Sequence, residues 1–275
     1  MTNNIFPKRI SLTERQLPNY PITKSNIPKC VILAAGASTR LRPLTDAMPK
    51  CLLKVHGKKL LERTIQNILT AGIKEIALVV GYRSAVIREF VKQRFPQQRI
   101  RLILNPNYAS TNNAYSLLLA RRFLEDENGK VDYTLLLLDS DILFSSKLLP
   151  HFLGTEPANK IAVRVLGEHD EEEIQVGRNP DGNIFFIGKR PVLIKTPCES
   201  IGIELFSAEA AARLFSVLER RVRQGIGRSE FYEVAFQEMI DEGTKLKAVD
   251  VSAFPSIEID TLEDLESSEQ LKVDE

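Results

Sequence analysis

The sequence CVILAAGASTRLRPLTDAMPKCLLKV spans residues 30–55. Its apolar beginning, residues 30–35, predicts a buried strand of a parallel sheet. A loop of small residues follows, and the backbone N–H groups of such a loop can approach an anion closely. Three cations, Arg40, Arg42 and Lys50, come next. Together the loop and the cations predict a binding site for the phosphates of a nucleoside triphosphate.

Apolar runs alternate with helical patterns in the chain that follows this loop. The predicted strands are a short piece at 51–55 and then 75–80, 99–104 and 134–138, and the predicted helices are 59–72, 84–95, 112–124 and 145–153. This alternation predicts an α/β protein with a doubly wound, mainly parallel, Rossmann-like sheet between two helical layers. Ligands bind such sheets beyond the carboxyl ends of the strands.

The pattern changes after about residue 160. Short strands separated by turns are predicted at 161–165, 173–176, 183–187, 192–195, 200–206 and 245–251, and helices at 208–223, 229–241 and after Thr261, whose capping partner is Asp264. This part predicts a smaller region of mixed sheet beside the parallel one.

Composition excludes several classes of protein. The net charge of +1 gives no broad basic field for nucleic acid. No apolar run of about 18 residues is present, so no membrane span is expected. The beginning of the chain lacks the apolar core of a secretory signal. Three widely spaced cysteines indicate reduced thiols, and we expect a cytoplasmic protein.

Two familiar phosphate loops do not fit residues 30–55. A dinucleotide fingerprint needs G-x-G-x-x-G, but Ser38 and Leu41 stand at the second and third glycine positions. The G-x-x-x-x-G-K-[ST] pattern is also absent. A purely structural strand-to-helix turn would not need the three cations.

The run LAAGASTRLRPLTDAMPKCLLKVHGKKLLERTI, residues 33–65, resembles the signature of the sugar-phosphate nucleotidyltransferase family. That signature is written roughly L-A-A-G-x-G-[ST]-R-L-x-P-L-T-x-x-x-P-K-x-L-[LV]. The resemblance continues through GIKEIALVVGY at 72–82, DSDILF at 139–144 and IEIDTLEDL at 257–265. Ser38 departs from the pattern, which has a second glycine there.

The resemblance implies that an NTP and a phosphorylated acceptor react to give an NDP-acceptor and pyrophosphate. Arg40 and Lys50 take the catalytic positions, in a reaction that depends on positioning and charge stabilisation. The positions expected to bind the nucleotide lie at the end of the first strand, in the loop that follows it and after the strand at 75–80: Leu33, Ala34, Ala35, Gly36, Ala37, Ser38, Gly81 and Tyr82.

Two carboxylates, Asp139 and Asp141, follow a predicted strand, and such oxygen ligands suit Mg²⁺. The resemblance assigns Asp141 and Asp260 to the metal, with Asp139 as a third ligand or a turn residue beside the site. Asp260 also suits the N-cap of the last helix. The D-x-D pattern occurs in glycosyltransferases of related fold too, but these lack the loop with Arg40 and Lys50.

The stretch NPNYASTNNAYSLLLA, residues 105–120, resembles CTP:phosphocholine and inositol-phosphate cytidylyltransferases. This resemblance implies that four residues face the base and ribose of the nucleotide: Ser110, Thr111, Asn112 and Asn113. The alternative is that the asparagines only cap the helix that starts there.

An acceptor-binding segment is expected at Ser229-Glu230-Phe231-Tyr232-Glu233, which resembles the corresponding segment of choline-phosphate and aminoethylphosphonate cytidylyltransferases. On a helix Glu230 and Glu233 lie one turn apart, and with Tyr232 they could hold a cationic head group. Acidic residues also suit the first turn of a helix for its dipole alone.

The sequence therefore predicts an Mg²⁺-dependent cytidylyltransferase that uses CTP and a phosphocholine-like acceptor. Alternatives are a hexose-1-phosphate uridylyl- or thymidylyltransferase, a phosphonate or inositol-phosphate cytidylyltransferase, and a non-catalytic regulatory relative. A homo-oligomer is left open. The predicted division is an extension at 1–28, a nucleotide-binding part at 29–158 and an acceptor-side part at 159–275.

Overall fold

The computed structural model of the chain describes residues 28–165, 174–189 and 198–274. Nearly all of the predicted extension, and the strand predicted at 192–195, lie outside these ranges. The helices are α1 (Leu60–Thr70), α2 (Ser84–Arg94), α3 (Asn113–Leu119), α4 (Leu148–Gly154), α5 (Ala208–Arg223), α6 (Glu233–Asp241) and α7 (Leu262–Ser268). No helix of the described ranges is long and apolar enough to cross a membrane.

The described strands build one large sheet and two small ones. The strands are β1 (Lys29–Ala34), β2 (Lys54–Val55), β3 (Lys58–Lys59), β4 (Ile76–Val80), β5 (Ile100–Leu104), β6 (Leu135–Asp139), β7 (Ile142–Phe144), β8 (Lys160–Val165), β9 (Gln175–Arg178), β10 (Ile184–Gly188), β11 (Cys198–Phe206), β12 (Lys247–Asp250) and β13 (Ser256–Glu258). The large sheet runs β10-β9-β11-β6-β1-β4-β5; in addition, β8 pairs with β11, and β12 pairs with β8. Strands β2 and β3 form a hairpin, and β13 pairs with β7.

The centre of the large sheet is parallel, as predicted. Strands β6, β1, β4 and β5 pair in parallel, whereas β11 joins β6 in the antiparallel sense. The mixed region is thus continuous with the parallel one, through β11. This arrangement confirms the predicted α/β sandwich with a smaller mixed-sheet region.

Helices cover both faces of the sheet because its strands are apolar on both faces. Val31 and Leu33 of β1 belong to one core, which α3, α5 and α6 complete. Cys30 and Ile32 belong to the other core, with α1, α2 and α4. Such two-sided burial explains why β1 reads as a continuous apolar run and not as an alternation.

Two predicted helices have wrong boundaries. The helix predicted at 112–124 ends as an α-helix at Leu119 and continues only as a short 3₁₀ turn at 121–123. The helix predicted at 229–241 begins at Glu233, because the preceding backbone is engaged elsewhere: the N–H of Tyr232 donates to Asn113 Oδ1 at 2.9 Å, and the carbonyl of Glu230 accepts from the N–H of Ala114 at 3.4 Å.

Candidate active site

Lys50 lies at the centre of a group of charges drawn from three separate segments. Its Nζ is 2.6 Å from Asp141 Oδ2 and 2.6 Å from Asp260 Oδ1. Arg40 reaches the same group and donates to Asp260 Oδ2 at 2.7 Å. The structure therefore brings together the two predicted catalytic cations, Arg40 and Lys50, and the metal ligands predicted at Asp141 and Asp260. We call these four residues the Lys50 group.

Local pairing of two short strands places the two aspartates side by side. Asp141 lies between β6 and β7, and Asp260 is the second residue after β13. Strand β13 pairs with β7, and the backbone N–H of Ile259 donates to the carbonyl of Asp141 at 3.1 Å. Asp260 does not cap α7: Thr261 is the N-cap, and it forms a capping box with Asp264.

The ion pairs favour the charged forms of Lys50 and Asp260. Burial of Lys50 opposes its charge, but Asp141 and Asp260 outweigh that cost and raise the pKa of Lys50 well above its usual range. Burial likewise opposes the charge of Asp260, yet Lys50 and Arg40 hold its pKa below the usual range. These shifts favour the charged forms of Lys50 and Asp260.

Asp141, Glu258 and Asp260 each have a carboxylate oxygen within 4.8 Å of the others. Asp141 Oδ1 is buried and accepts no hydrogen bond within the described part of the chain. An orphaned carboxylate oxygen in an all-oxygen group suits Mg²⁺, so the residues present fit that metal. Asp139 is not one of these three residues. Sequence reasoning had not singled out Glu258, although Glu258 and Asp260, two positions apart on an extended segment, share a face.

The loop after β1 has open space at Gly36, and a hydrogen bond from Thr45 holds its backbone at Ser38. A Cβ placed on Gly36 would meet no atom within 4 Å. Ser38, which stands where the family pattern has glycine, adopts a left-handed φ of 48°. Thr45 Oγ1 donates to the carbonyl of Ser38 at 2.9 Å, which holds this conformation.

Gly81 and Tyr82 support the loop from beneath. The N–H of Tyr82 donates to the carbonyl of Ala35 at 3.0 Å, and its hydroxyl donates to the carbonyls of Thr45 and Asp46 at 2.8 Å. A Cβ on Gly81 would lie 2.8 Å from the carbonyl oxygen of Ala35, so only glycine fits there. These contacts are structural ones with the loop.

Ser110, Thr111 and Asn112 are engaged in local hydrogen bonds. The hydroxyls of Ser110 and Thr111 donate to the carbonyl of Asn107, and the Asn112 side chain caps α3. Asn113 lines a cavity and accepts from the N–H of Tyr232 at 2.9 Å. The capping alternative is therefore observed for Asn112, while Asn113 ties α3 to the segment that begins α6.

A cavity of about 510 Å³ lies beside the Lys50 group. Its lining comes from β11, from the segment that enters α6, and from β13 with the start of α7; Arg40, Asp260 and Glu258 border it on the metal side. We call it the acceptor cavity, because part of the acceptor-binding segment that the sequence predicts lines it. Its wall includes Arg164, which donates to Glu199 at 2.7 Å.

Asp139 lines the acceptor cavity. Its Oδ2 accepts from the hydroxyl of Tyr232 at 2.7 Å. A Cβ on Gly202 would lie 2.8 Å from that same oxygen, and Gly202 also has a left-handed φ of 69°. Burial, with Asp141 and Glu233 nearby, raises the pKa of Asp139 well above its usual range.

Two further carboxylates are buried near Asp139. Glu233 lines the cavity and Glu204 is fully buried, and each has an Oε2 atom that accepts no hydrogen bond from the described residues. Burial raises the pKa of Glu233 to about 7, against the opposing effect of Lys189. Burial also raises the pKa of Glu204 well above its usual range, with Asp139 adding to the effect. Nothing in the sequence around Glu204 distinguishes it from an ordinary strand residue.

Glu230 is separated from the other two predicted acceptor residues. It precedes α6, and both of its oxygens accept from Arg221 of α5 at 2.7 Å. It does not line the acceptor cavity, whereas Phe231, Tyr232 and Glu233 do. The expectation that Glu230 and Glu233 lie one helical turn apart is wrong.

Comparison with known proteins agrees with this geometry. Residues 29–176 match the family described as nucleotidyl transferase. The chain is 31% identical over 134 residues to a CMP-5'-(3-aminopropyl)phosphonate synthase of Streptomyces rubellomurinus, covering 49% of this chain and 20% of that protein. It is 41% identical over 96 residues to a choline-phosphate cytidylyltransferase of Streptococcus pneumoniae, covering 35% of this chain and 40% of that protein.

The matched stretches thus cover 20% and 40% of the length of these two curated relatives. A solved structure of CTP:phosphocholine cytidylyltransferase from Streptococcus pneumoniae superposes with a TM-score of 0.74 at 24% identity, over 88% of this chain and 97% of that one. The superposition shows a shared fold.

Proposed function

The chain belongs to the nucleotidyl transferase family, and on that premise we propose that it transfers a cytidylyl group from CTP to a small phosphorylated acceptor of the phosphocholine type. The observation that carries this proposal is the Lys50 group, two of whose members, Arg40 and Asp260, also line the acceptor cavity. A family member without catalysis would have no need to keep both cations and the facing carboxylates together.

The reaction needs few covalent roles from the protein. An oxygen of the acceptor phosphate attacks the α-phosphorus of CTP, the bond from that phosphorus to the bridging oxygen breaks, and pyrophosphate leaves with the electron pair. Catalysis then rests on holding the reactants in line and stabilising negative charge. Lys50 binds the α-phosphate and the acceptor phosphate, and Arg40 stabilises the leaving pyrophosphate.

Mg²⁺ would be held by Asp141 and Asp260 with Glu258 beside them. When bound, the metal neutralises phosphate charge and orients the triphosphate. For Lys50 and Arg40 to contact phosphate, they must exchange their present partners, Asp141 and Asp260, for phosphate oxygens. The orphaned Asp141 Oδ1 supports the metal part of this proposal.

The choice of CTP rests on the relatives. One relative is named as a cytidylyltransferase, another as the synthase of a CMP-linked compound, and the solved neighbour is named for CTP itself. The resemblance of residues 105–120 to cytidylyltransferases supports the same choice.

Pyrophosphate release tests this function. The full chain is incubated with Mg²⁺, each of CTP, UTP, dTTP, ATP and GTP, and a panel of phosphorylated acceptors that includes phosphocholine, phosphoethanolamine, inositol 1-phosphate and glucose 1-phosphate. We expect release with CTP and an amino-alcohol phosphate. Release with none of the pairs contradicts the enzyme, and release only with UTP or dTTP and glucose 1-phosphate contradicts the cytidylyl assignment.

A further inference from the structure

The acceptor cavity carries more acid than a pocket for a phosphate would need. Seven of its lining residues bear carboxyl groups and three bear cations; Asp260 and Glu199 are paired with Arg40 and Arg164, whereas no described residue forms an ion pair with Asp139 or Glu233. A phosphorylated acceptor is itself an anion, so an acidic wall opposes its binding unless another part of the acceptor is positive. The charge of this wall therefore indicates a zwitterionic acceptor.

Buried carboxylate oxygens without donors make this indication more specific. Glu233 lines the cavity with only 6% of its surface exposed, and no described residue donates to its Oε2. Glu204, behind it, has an orphaned Oε2 as well. A buried polar group without its hydrogen bond costs about 1–3 kcal/mol, and more when it is charged. A ligand that brings N–H donors would remove that cost for Glu233.

The acidic wall lies close to the reacting phosphate. Asp139 lines the cavity, and Asp141, which belongs to the Lys50 group, is only two residues further along the chain. The Cα atoms of these residues are at most about 7 Å apart. A cationic group on Asp139 and a phosphate at Lys50 can thus belong to one small molecule with a short linker.

The aromatic residues of the cavity do not form a cage. A quaternary ammonium offers no N–H and is recognised by aromatic faces. Among the described residues, the aromatic side chains that line the cavity are Phe231 and Tyr232. The Phe231 ring already lies 4.7 Å from Lys189 Nζ, and the Tyr232 ring packs 5.0 Å from the ring of Phe236. The cavity is thus better suited to N–H donors than to methyl groups.

We infer that the acceptor carries a primary ammonium, joined to its phosphate by a short linker, and that Asp139 and Glu233 bind this ammonium. The inference rests on the proposed function and narrows its acceptor class. It departs from phosphocholine, whose nitrogen has no hydrogen to donate.

A graded series of acceptors tests the inference. Phosphoethanolamine and its N-methyl, N,N-dimethyl and N,N,N-trimethyl (phosphocholine) forms keep one positive charge while the number of N–H donors falls from three to none. Turnover with CTP and Mg²⁺ is followed by pyrophosphate release, and binding is measured separately by calorimetry with a non-hydrolysable CTP analogue present. We expect kcat/KM and affinity to fall with each methyl group, by tenfold or more over the whole series.

Binding separates failure of the inference from failure of the proposed function. If no acceptor reacts but phosphoethanolamine still binds most tightly, the cytidylyl reaction is wrong and the ammonium site is supported. If phosphocholine binds or reacts at least as well, or if no member of the series binds, the inference is overturned.

A matched pair of variants locates the effect. Glu233→Gln should weaken phosphoethanolamine binding and reduce the preference over phosphocholine, while leaving KM for CTP unchanged. Glu266→Gln, an exposed residue of α7 outside the cavity, removes the same charge and should keep the preference. An unchanged preference in Glu233→Gln would contradict the assigned site.

Discussion

The two sides of the cleft balance their charges differently. On the nucleotide side, Lys50 and Arg40 lie against Asp141 and Asp260, so the protein neutralises its own charges. On the acceptor side, Glu204 and Glu233 are buried, and no described residue donates a hydrogen bond to the Oε2 atom of either. The first arrangement pairs its charges within the protein but leaves Asp141 Oδ1 without a donor, and we propose that its cations exchange partners when phosphate binds. The second is incomplete, which indicates that its missing partner belongs to the substrate.

Removal of the central cation should have the largest effect. Lys50→Ala takes away the group that contacts both reacting phosphates, so the rate of pyrophosphate release should fall by about 10²–10³-fold or more. Lys54→Ala is the matched control, because Lys54 is an exposed lysine of the same segment. Circular dichroism should show that both variants fold. A Lys50→Ala enzyme with the activity of Lys54→Ala would contradict the role of Lys50.

The ion pairs of Lys50 with Asp141 and Asp260 lead us to expect competition between Lys50 and a divalent metal. Because Lys50 Nζ is 2.6 Å from two expected ligands, a divalent ion must displace it. Lys50→Gln should therefore bind Mn²⁺ more tightly than the natural chain in the absence of nucleotide, by about tenfold or more, since a nearby cation opposes the ion. Electron paramagnetic resonance of free Mn²⁺ measures this directly. Weaker Mn²⁺ binding in the variant would contradict the assigned ligands.

The buried carboxyl of Glu233, which lacks a hydrogen-bond donor at Oε2, should make acceptor binding depend on pH. Burial raises the pKa of Glu233 to about 7, and the charged or ionisable groups around it are Lys189, Asp139, Glu204 and Tyr232. As the pH falls from 8 to 6, Glu233 gains a proton and loses its attraction for a cation. KM for phosphoethanolamine should therefore rise several-fold over this range, while KM for CTP changes less. In Glu233→Gln the rise should be smaller.

The same pKa predicts how stability changes with pH. The folded pKa of Glu233 lies above its ordinary value of 4.5, so the folded state binds more protons between these values. The stability linked to this group is fully present below about pH 4.5 and is lost as the pH rises through about 7. Glu233→Gln should gain thermal stability relative to the natural chain between pH 5 and 8. A constant difference in Tm would contradict the raised pKa.

A smaller effect is expected from Arg221, which positions the segment before α6. It forms a two-point ion pair with Glu230 and also contacts Glu238. Arg221→Gln should release this segment and raise acceptor KM by about two- to fivefold, as expected when about 0.5–1 kcal/mol of positioning is lost, without changing KM for CTP. Arg223→Gln is the control, since its side chain is 82% exposed. Arg221→Lys should restore part of the effect, and an equal change in both KM values would indicate general destabilisation.

The parts of the fold that could be predicted from sequence are those determined by neighbouring residues. Strands β1, β4 and β6 are buried on both faces, so each appears as a largely uninterrupted apolar run. The capping box of Thr261 and Asp264 lies within four consecutive residues and was predicted correctly. The loop with Arg40 and Lys50 is also one continuous stretch.

The parts that could not be predicted depend on residues far apart in the chain. The start of α6 is fixed by Asn113, whose side-chain oxygen accepts a hydrogen bond from the N–H of Tyr232. The two residues are 119 positions apart in the chain. Glu258 joins the acidic group only because β13 pairs with β7. Glu204 faces Asp139 through the pairing of β11 with β6, where Glu204 is opposite Leu137. No local pattern encodes such pairings.

Transfer of a labelled phosphorus tests the central claim most directly. The full chain is supplied with Mg²⁺, phosphoethanolamine and CTP that carries ³²P at the α-position, and the products are separated. Attack by the acceptor phosphate at the α-phosphorus predicts that all consumed label appears in a CDP-linked product, with one unlabelled pyrophosphate for each. Label that remains in CTP, or that appears as free CMP, would contradict a cytidylyl transfer centred on Lys50.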